Sequence, residues 1–179
     1  CYYQVTDTRC QARWWTHDRY HPEVVNSLLA VINQLAAKHQ ELWLIGHSGG
    51  GALAVLLGRR LDRPVKVVTV NANLDHQAWT KHHGYSPLTG SLNPIRVRCR
   101  NPLMQELHWY ADEDRTVLPK WILAYCDKHQ VQCQPVSGGH STGWPARWRT
   151  ILERSQDFFP ALETPAPNSE SQPLPPEGL

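Results

Sequence analysis

Gly46-His47-Ser48-Gly49-Gly50 fits the pattern G-x-S-x-G, a serine flanked by residues small enough for a tight turn. A serine hydroxyl is a weak nucleophile until a base takes its proton, and that base needs a carboxylate to hold its tautomer. The pattern alone is weak, because Gly and Ser are common. Its placement is more specific. Leu42-Trp43-Leu44-Ile45 leads in as a short buried strand, and Ala52 to Arg60 leads out as an Ala- and Leu-rich helix. A strand-to-helix turn is where a nucleophilic serine is held in strained geometry with its Oγ exposed. Gly46 and Gly50 are expected to remove side chains where strand and helix nearly touch. The Gly49 N–H, at the helix N-terminus, is the expected donor to the oxyanion of a tetrahedral intermediate. The competing reading is a glycine-rich turn that is structural or holds phosphate. The segment lacks both the Gly-Lys-Ser/Thr of a phosphate loop and the spacing of G-x-G-x-x-G.

The acid and the base are sought further along the chain, on loops after later strands. Ala111 to Pro119 offers Asp112, Glu113 and Asp114 after an apolar run at 107–110. Asp114 is the expected acid and Asp112 the alternative; the remaining carboxylates read as a solvated loop. Val136-Ser137-Gly138-Gly139-His140-Ser141 supplies His140, the expected base. It is the only histidine between the last strand and the last helix, in a chain with ten. His76, His82 and His83 do not make a complete metal-ligand set, so no metal site is assigned.

Apolar periodicity places the elements that must position these groups. Val25, Leu28, Leu29, Ile32, Leu35 and Ala36 repeat at three and four, giving a helix from Pro22 to about Lys38. Val65 to Val70 is a β-branched strand, and 71–105 is a long polar connection. Leu107 to Tyr110 and Val131 to Val136 are further strands. Leu118 to Cys126, and Pro145 to about Phe159, are further helices. Strands alternating with helices imply an α/β class, a mostly parallel sheet flanked by helices. The Pro-, Ser- and Glu-rich 160–179 can bury little and is expected to be a disordered tail after a domain over 1–159.

The composition excludes several classes. Eighteen basic and 16 acidic residues give a net charge of +2 with no long basic run, which argues against a nucleic-acid binder. Mean hydropathy is −0.49, and no apolar run approaches the roughly 20 residues of a membrane span. The chain holds eight Trp against two Phe. Trp14, Trp15, Trp79 and Trp144 stand in polar surroundings, where they wall a pocket or pack on the surface. Five cysteines lack zinc spacing. Cys1 with Cys10, and Cys126 with Cys133, are candidate short-loop disulfides that would suit an exported protein; ordinary buried thiols are the other reading.

With Ser48, Asp114 and His140 in this order, residues 21–159 resemble the α/β-hydrolase superfamily of serine hydrolases. LIGHSGGGALAVLLG (44–58), VTVNANLDHQAWT (68–80), PLTGSLNP (87–94), HWYADEDRTVLP (108–119) and the opening CYYQV with WWTHDRY are similar to a group of largely uncharacterised bacterial hydrolases, often exported or lipoprotein-like. The resemblance implies a three-layer sandwich and hydrolysis of an ester or related acyl bond in a small-molecule substrate, without a cofactor. It also implies periplasmic or other export, cytoplasmic being the alternative. Some hydrolases place the acid after an earlier strand, which makes Asp75 a second alternative to Asp114, otherwise a pocket-lining or capping residue. His47, Asp75 and Trp79 are candidates for substrate contact, with 76–105 as a lid or wall. The fold normally has further strands before residue 22, one followed by the loop with the second oxyanion donor. The chain is therefore expected to be the C-terminal two-thirds of such a fold. A truncated, non-catalytic binding module is the alternative function.

Overall fold

The computed structural model describes residues 11–39 and 41–159. Strands β1 (Trp43–His47), β2 (Val65–Val70), β3 (Met104–Ala111) and β4 (Gln132–Val136) form one parallel sheet in the order β1-β2-β3-β4. Sheet order follows chain order because each strand returns by a crossover of the same hand. Helix α2 (Gly49–Gly58) carries β1 to β2, and α4 (Pro119–His129) carries β3 to β4. The V-K-V-V-T-V sequence of β2 is buried at every position, as a strand covered on both faces requires.

The two-residue period of β2 sorts its side chains between two cores. Val65 and Val67 pack with Ala54 and Val55 of α2 and with Trp121, Ile122 and Tyr125 of α4. Val68 and Val70 face the other way, joining Leu107 and Trp109 against Ile151 of α5 (Trp148–Phe158) and against Phe159. Helix α1 (Pro22–Ala36) lies outside α2, where Val25 meets Ala52, Leu56 and Leu57. This is the layered α/β architecture that the alternating pattern implied.

Three local expectations change. Helix α2 starts at Gly49 rather than Ala52, so the elbow leaves a single residue between strand and helix. Strand β3 begins at Met104, pairing with Val65, three residues before the apolar run. Ladder pairing does not require apolar side chains when the polar ones find partners, as Glu106 does below. The connection 71–105 is not wholly irregular, because His76–His83 form α3. The Asp75 carboxylate caps it by accepting from the N–H groups of Gln77 and Ala78, and Gly84 closes it at φ 66°. Its apolar content, Ala78 and Trp79, is too sparse to show helical periodicity.

A disulfide joins Cys126 at the end of α4 to Cys133 in β4. The candidate pair Cys1–Cys10 and the tail 160–179 lie outside the described residues. Among the described residues, no helix is long and apolar enough to cross a membrane.

Candidate active site

Ser48 is the single residue between β1 and α2, and its backbone sits at φ 52°, ψ −121°. A non-glycine residue at positive φ is strained and persists only when its surroundings over-determine it. Here its N–H donates to Val70 O at 3.0 Å, and its carbonyl accepts from Gly51 N and Asn73 N, each at 3.1 Å. A Cβ on Gly46 would collide with the Gly50 carbonyl, and one on Gly51 with the Ala72 side chain. Gly46 is thus required, as expected. Gly50 is not, because a Cβ there would meet open space; the second close approach belongs to Gly51. Gly49 opens α2, so its N–H has no partner within the helix and stands at the positive end of the helix dipole.

Ser48, His140 and Asp114 form one line of hydrogen bonds. Asp114 Oδ2 lies 2.7 Å from His140 Nδ1, and His140 Nε2 lies 3.0 Å from Ser48 Oγ. A carboxylate only accepts, so Nδ1 carries the proton and Nε2 is free to accept from the serine hydroxyl. The other Asp114 oxygen accepts from the N–H groups of Thr116 and Val117 at 2.7 and 2.9 Å. That turn fixes the carboxylate, whose side chain is 1% exposed, while the His140 side chain is 17% exposed.

The backbone of His140 is also held. Its carbonyl accepts from Asn71 Nδ2 at 2.9 Å, Trp144 Nε1 at 3.1 Å and His47 Nε2 at 2.8 Å. Asn71 is fully buried at φ 49° and accepts from Ala111 N at 2.7 Å, so one amide ties the ends of β2 and β3 to the His140 loop. Sequence reasoning did not single out Asn71 for this. Its place directly after a buried strand, at the same edge as the elbow, was the available signal.

The remaining candidates lie as follows. His47 is half-buried and stacks on Trp144 at 4.7 Å. Burial pushes its imidazole below the ordinary value, against the pull of the bond to the His140 carbonyl. Trp144 lines a cavity of about 540 Å³ with His47, Ile45, Val70 and Trp148. Asp112 bonds the N–H of Gly138 at 3.0 Å, so it braces the His140 loop rather than its ring. Asp75 caps α3 and accepts from Asn93 Nδ2 at 2.8 Å. Trp79, on α3, packs against Tyr85 and His83 and lines a different cavity. His76 Nε2 contacts Ser91 O, His83 Nε2 contacts Thr116 O, and His82 packs edge-on to Trp121. Trp14 packs against His21, and Trp15 is exposed.

Comparison with known proteins gives three findings. Residues 3–72 match the family model of class 3 lipases. No curated protein matches. Solved structures align with most of the chain at low identity. An esterase of Pyrococcus furiosus aligns with TM-score 0.58 and 10% identity over 77% of this chain and 62% of its own. A Xanthomonas campestris protein assigned to the alpha/beta hydrolase superfamily gives 0.52 and 12%, over 75% and 68%. An esterase domain from Rhodothermus marinus gives 0.52 and 17%, over 74% and 67%. The chain thus spans about three-fifths to two-thirds of the length of these structures.

Proposed function

The chain carries the α/β-hydrolase fold, and on that premise we propose that it hydrolyses an ester or related acyl bond through an acyl-enzyme on Ser48. The observation that carries this reading is the continuous line from Asp114 through His140 to the Ser48 hydroxyl, ending on a strained elbow at a helix N-terminus.

In this reading Ser48 Oγ attacks the carbonyl carbon of a small-molecule acyl substrate while His140 Nε2 takes the hydroxyl proton. The imidazolium that results is held by Asp114, and the Gly49 N–H receives the oxyanion. Collapse expels the alcohol, which takes the proton from His140. A water activated by the same imidazole then releases the acid and restores Ser48. Each of these steps runs on the chain's own groups, without a cofactor. Asp114 serves better than Asp112 or Asp75, because the hydrogen bonds of those two run to backbone N–H groups and Asn93. His47 acts by holding the His140 loop, and Trp79 forms part of a substrate wall. Residues 1–159 form the hydrolase domain. The Cys126–Cys133 disulfide favours an oxidising compartment such as the periplasm.

A fluorophosphonate probe tests the assignment. The expected result is covalent labelling of the parent chain that is lost in Ser48→Ala. A folded parent chain that takes no label rejects the reaction and leaves a non-catalytic binding module.

A further inference from the structure

A second cavity, of about 420 Å³, lies between the segment before α1 and helix α3. Thr16, His17 and Arg19 line one wall; Trp79, Tyr85 and Leu88 line the other. Both walls are anchored at the elbow. Arg19 precedes Tyr20, whose buried phenol oxygen packs so closely on Gly49 that a Cβ there would clash with it. Helix α3 follows Asn73, whose N–H bonds the Ser48 carbonyl. The Arg19 side chain also hydrogen-bonds the Tyr20 phenol, so this wall of the cavity is tied to the residue that follows the nucleophile.

The charged side chain lining this pocket, Arg19, is a donor. Arg19 is half-buried, its Nε donates to Thr16 O at 2.9 Å, and it makes no ion pair with any described residue. Asp18, next to it, is taken by Arg13 at 3.6 Å. Asp75, the nearest acid on the α3 side, is taken by the helix cap and Asn93. No carboxylate lines the cavity. The indole Nε1 of Trp79 is buried with no hydrogen-bond partner among the described residues. A buried N–H without an acceptor is costly and calls for explanation. A guanidinium without a counter-charge that shares a cavity with such an N–H is a donor set that suits a carboxylate, whose two oxygens only accept. Trp79, Tyr85 and Leu88 supply apolar walls for the carbon chain between that carboxylate and the scissile bond.

We propose that this pocket binds a free carboxylate on the acyl part of the substrate, through Arg19 and the Trp79 indole, so that the preferred ester is a half-ester of a dicarboxylic acid. This rests on the ester-hydrolase reading and names its substrate class.

The test compares 4-nitrophenyl valerate with mono-4-nitrophenyl glutarate, equal in length and differing in the terminal carboxylate, at one ionic strength. The parent chain is expected to favour the glutarate ester in kcat/KM by roughly tenfold or more, chiefly through KM, the scale of one charged hydrogen-bonded contact. Arg19→Gln removes that preference, and Trp79→Phe, which keeps a ring but loses the N–H, reduces it severalfold. In parallel, glutarate titrated into Ser48→Ala is expected to change tryptophan fluorescence, with no response in the Ser48→Ala, Arg19→Gln double variant. Turnover of the valerate ester at equal or higher kcat/KM, or a preference unchanged in Arg19→Gln, overturns the pocket while leaving the reaction intact. Glutarate binding without turnover or probe labelling overturns the reaction and keeps the pocket. Neither binding nor turnover overturns both. If Arg19→Gln does not fold, Trp79→Phe and the glutarate titration decide.

Discussion

Two lines of hydroxyl, imidazole and carboxylate among the described residues, each with its carboxylate within 3.1 Å of the imidazole, invite comparison. One is Ser48–His140–Asp114 at the carboxyl ends of the strands. The other lies on the face of the sheet that α4 covers. There Thr69 Oγ1 is 2.7 Å from His108 Nδ1, and His108 Nε2 is 3.1 Å from Glu106 Oε2. Hydrogen-bond distances do not separate them. Their surroundings do. The His108 side chain is 0% exposed, against 17% for His140. Thr69 sits mid-strand in β2 with regular backbone, whereas Ser48 sits at φ 52° with a helix N-terminus behind it.

The second carboxylate is also differently employed. Glu106 pairs with the fully buried Arg59 at 3.6 Å and accepts from the Tyr125 hydroxyl at 2.6 Å. Arg59 donates to Tyr125 Oη at 2.5 Å, to Pro94 O at 3.0 Å and to Val97 O, so it pins the 94–97 segment under α4. Burial pushes the Glu106 carboxyl up, but His108, Arg59 and Tyr125 outweigh it and hold it below the ordinary value. The lesson is that a hydroxyl–imidazole–carboxylate line becomes a catalyst only where a substrate can reach it and where an N–H is left over for the oxyanion. Buried, the same line is a polar core whose worth is conformational.

The sharpest way to break this contrast is to remove the two hydroxyls. Ser48→Ala is expected to lower ester kcat by about 10⁴–10⁶ with the melting temperature nearly unchanged. Thr69→Val should leave the probe labelling of Ser48 intact and act on stability alone. Equal losses of activity would erase the distinction. Next in size, Asp114→Asn is expected to cost roughly 10³–10⁴ in kcat, because the amide no longer fixes the His140 tautomer; steady-state kinetics on a neutral ester measures it.

Removing one partner of the buried cluster has the opposite signature. Glu106→Gln should cost about 3–5 kcal/mol in urea unfolding, leaving Arg59 uncompensated, with kcat per folded molecule little changed. The pH dependence follows from its lowered folded value. Its contribution is fully present above the ordinary value of 4.5 and is lost as pH falls through the folded one. Glu106→Gln should therefore flatten the loss of stability below about pH 4.5, which urea midpoints across that range test. Cleaving the short Cys126–Cys133 loop by Cys126→Ser with Cys133→Ser should cost about 2–3 kcal/mol, again without touching kcat. The smallest expected effect is on the active side: Asn71→Ala frees the His140 carbonyl of one of its three donors, lowering kcat roughly tenfold. A stability loss with unchanged kcat would move Asn71 into the structural class with Glu106.

Much of the frame was legible because it depends on local pattern. The V-K-V-V-T-V run, the 3–4 spacing over 25–36 and the G-x-S-x-G turn between strand and helix each carry their own period or turn chemistry. Helix α3 was not, because its signals are its ends, Asp75 and Gly84, around a polar body. Nor was the choice among glycines, because Gly50 and Gly51 differ only in which one faces Ala72. The sequence by itself determined the α/β order, the serine at the elbow, and an acid and a histidine in the right succession. Only the tertiary structure showed that Asp114 bonds an imidazole, whereas Asp112 and Asp75 bond backbone and amide groups. Only it revealed Asn71 and the Thr69–His108–Glu106 line. Hydrogen bonds between residues 26 to 92 positions apart, such as Asp114 to His140 and Ser48 to His140, are fixed by how the strands stack side by side. No local period in the chain encodes that distance.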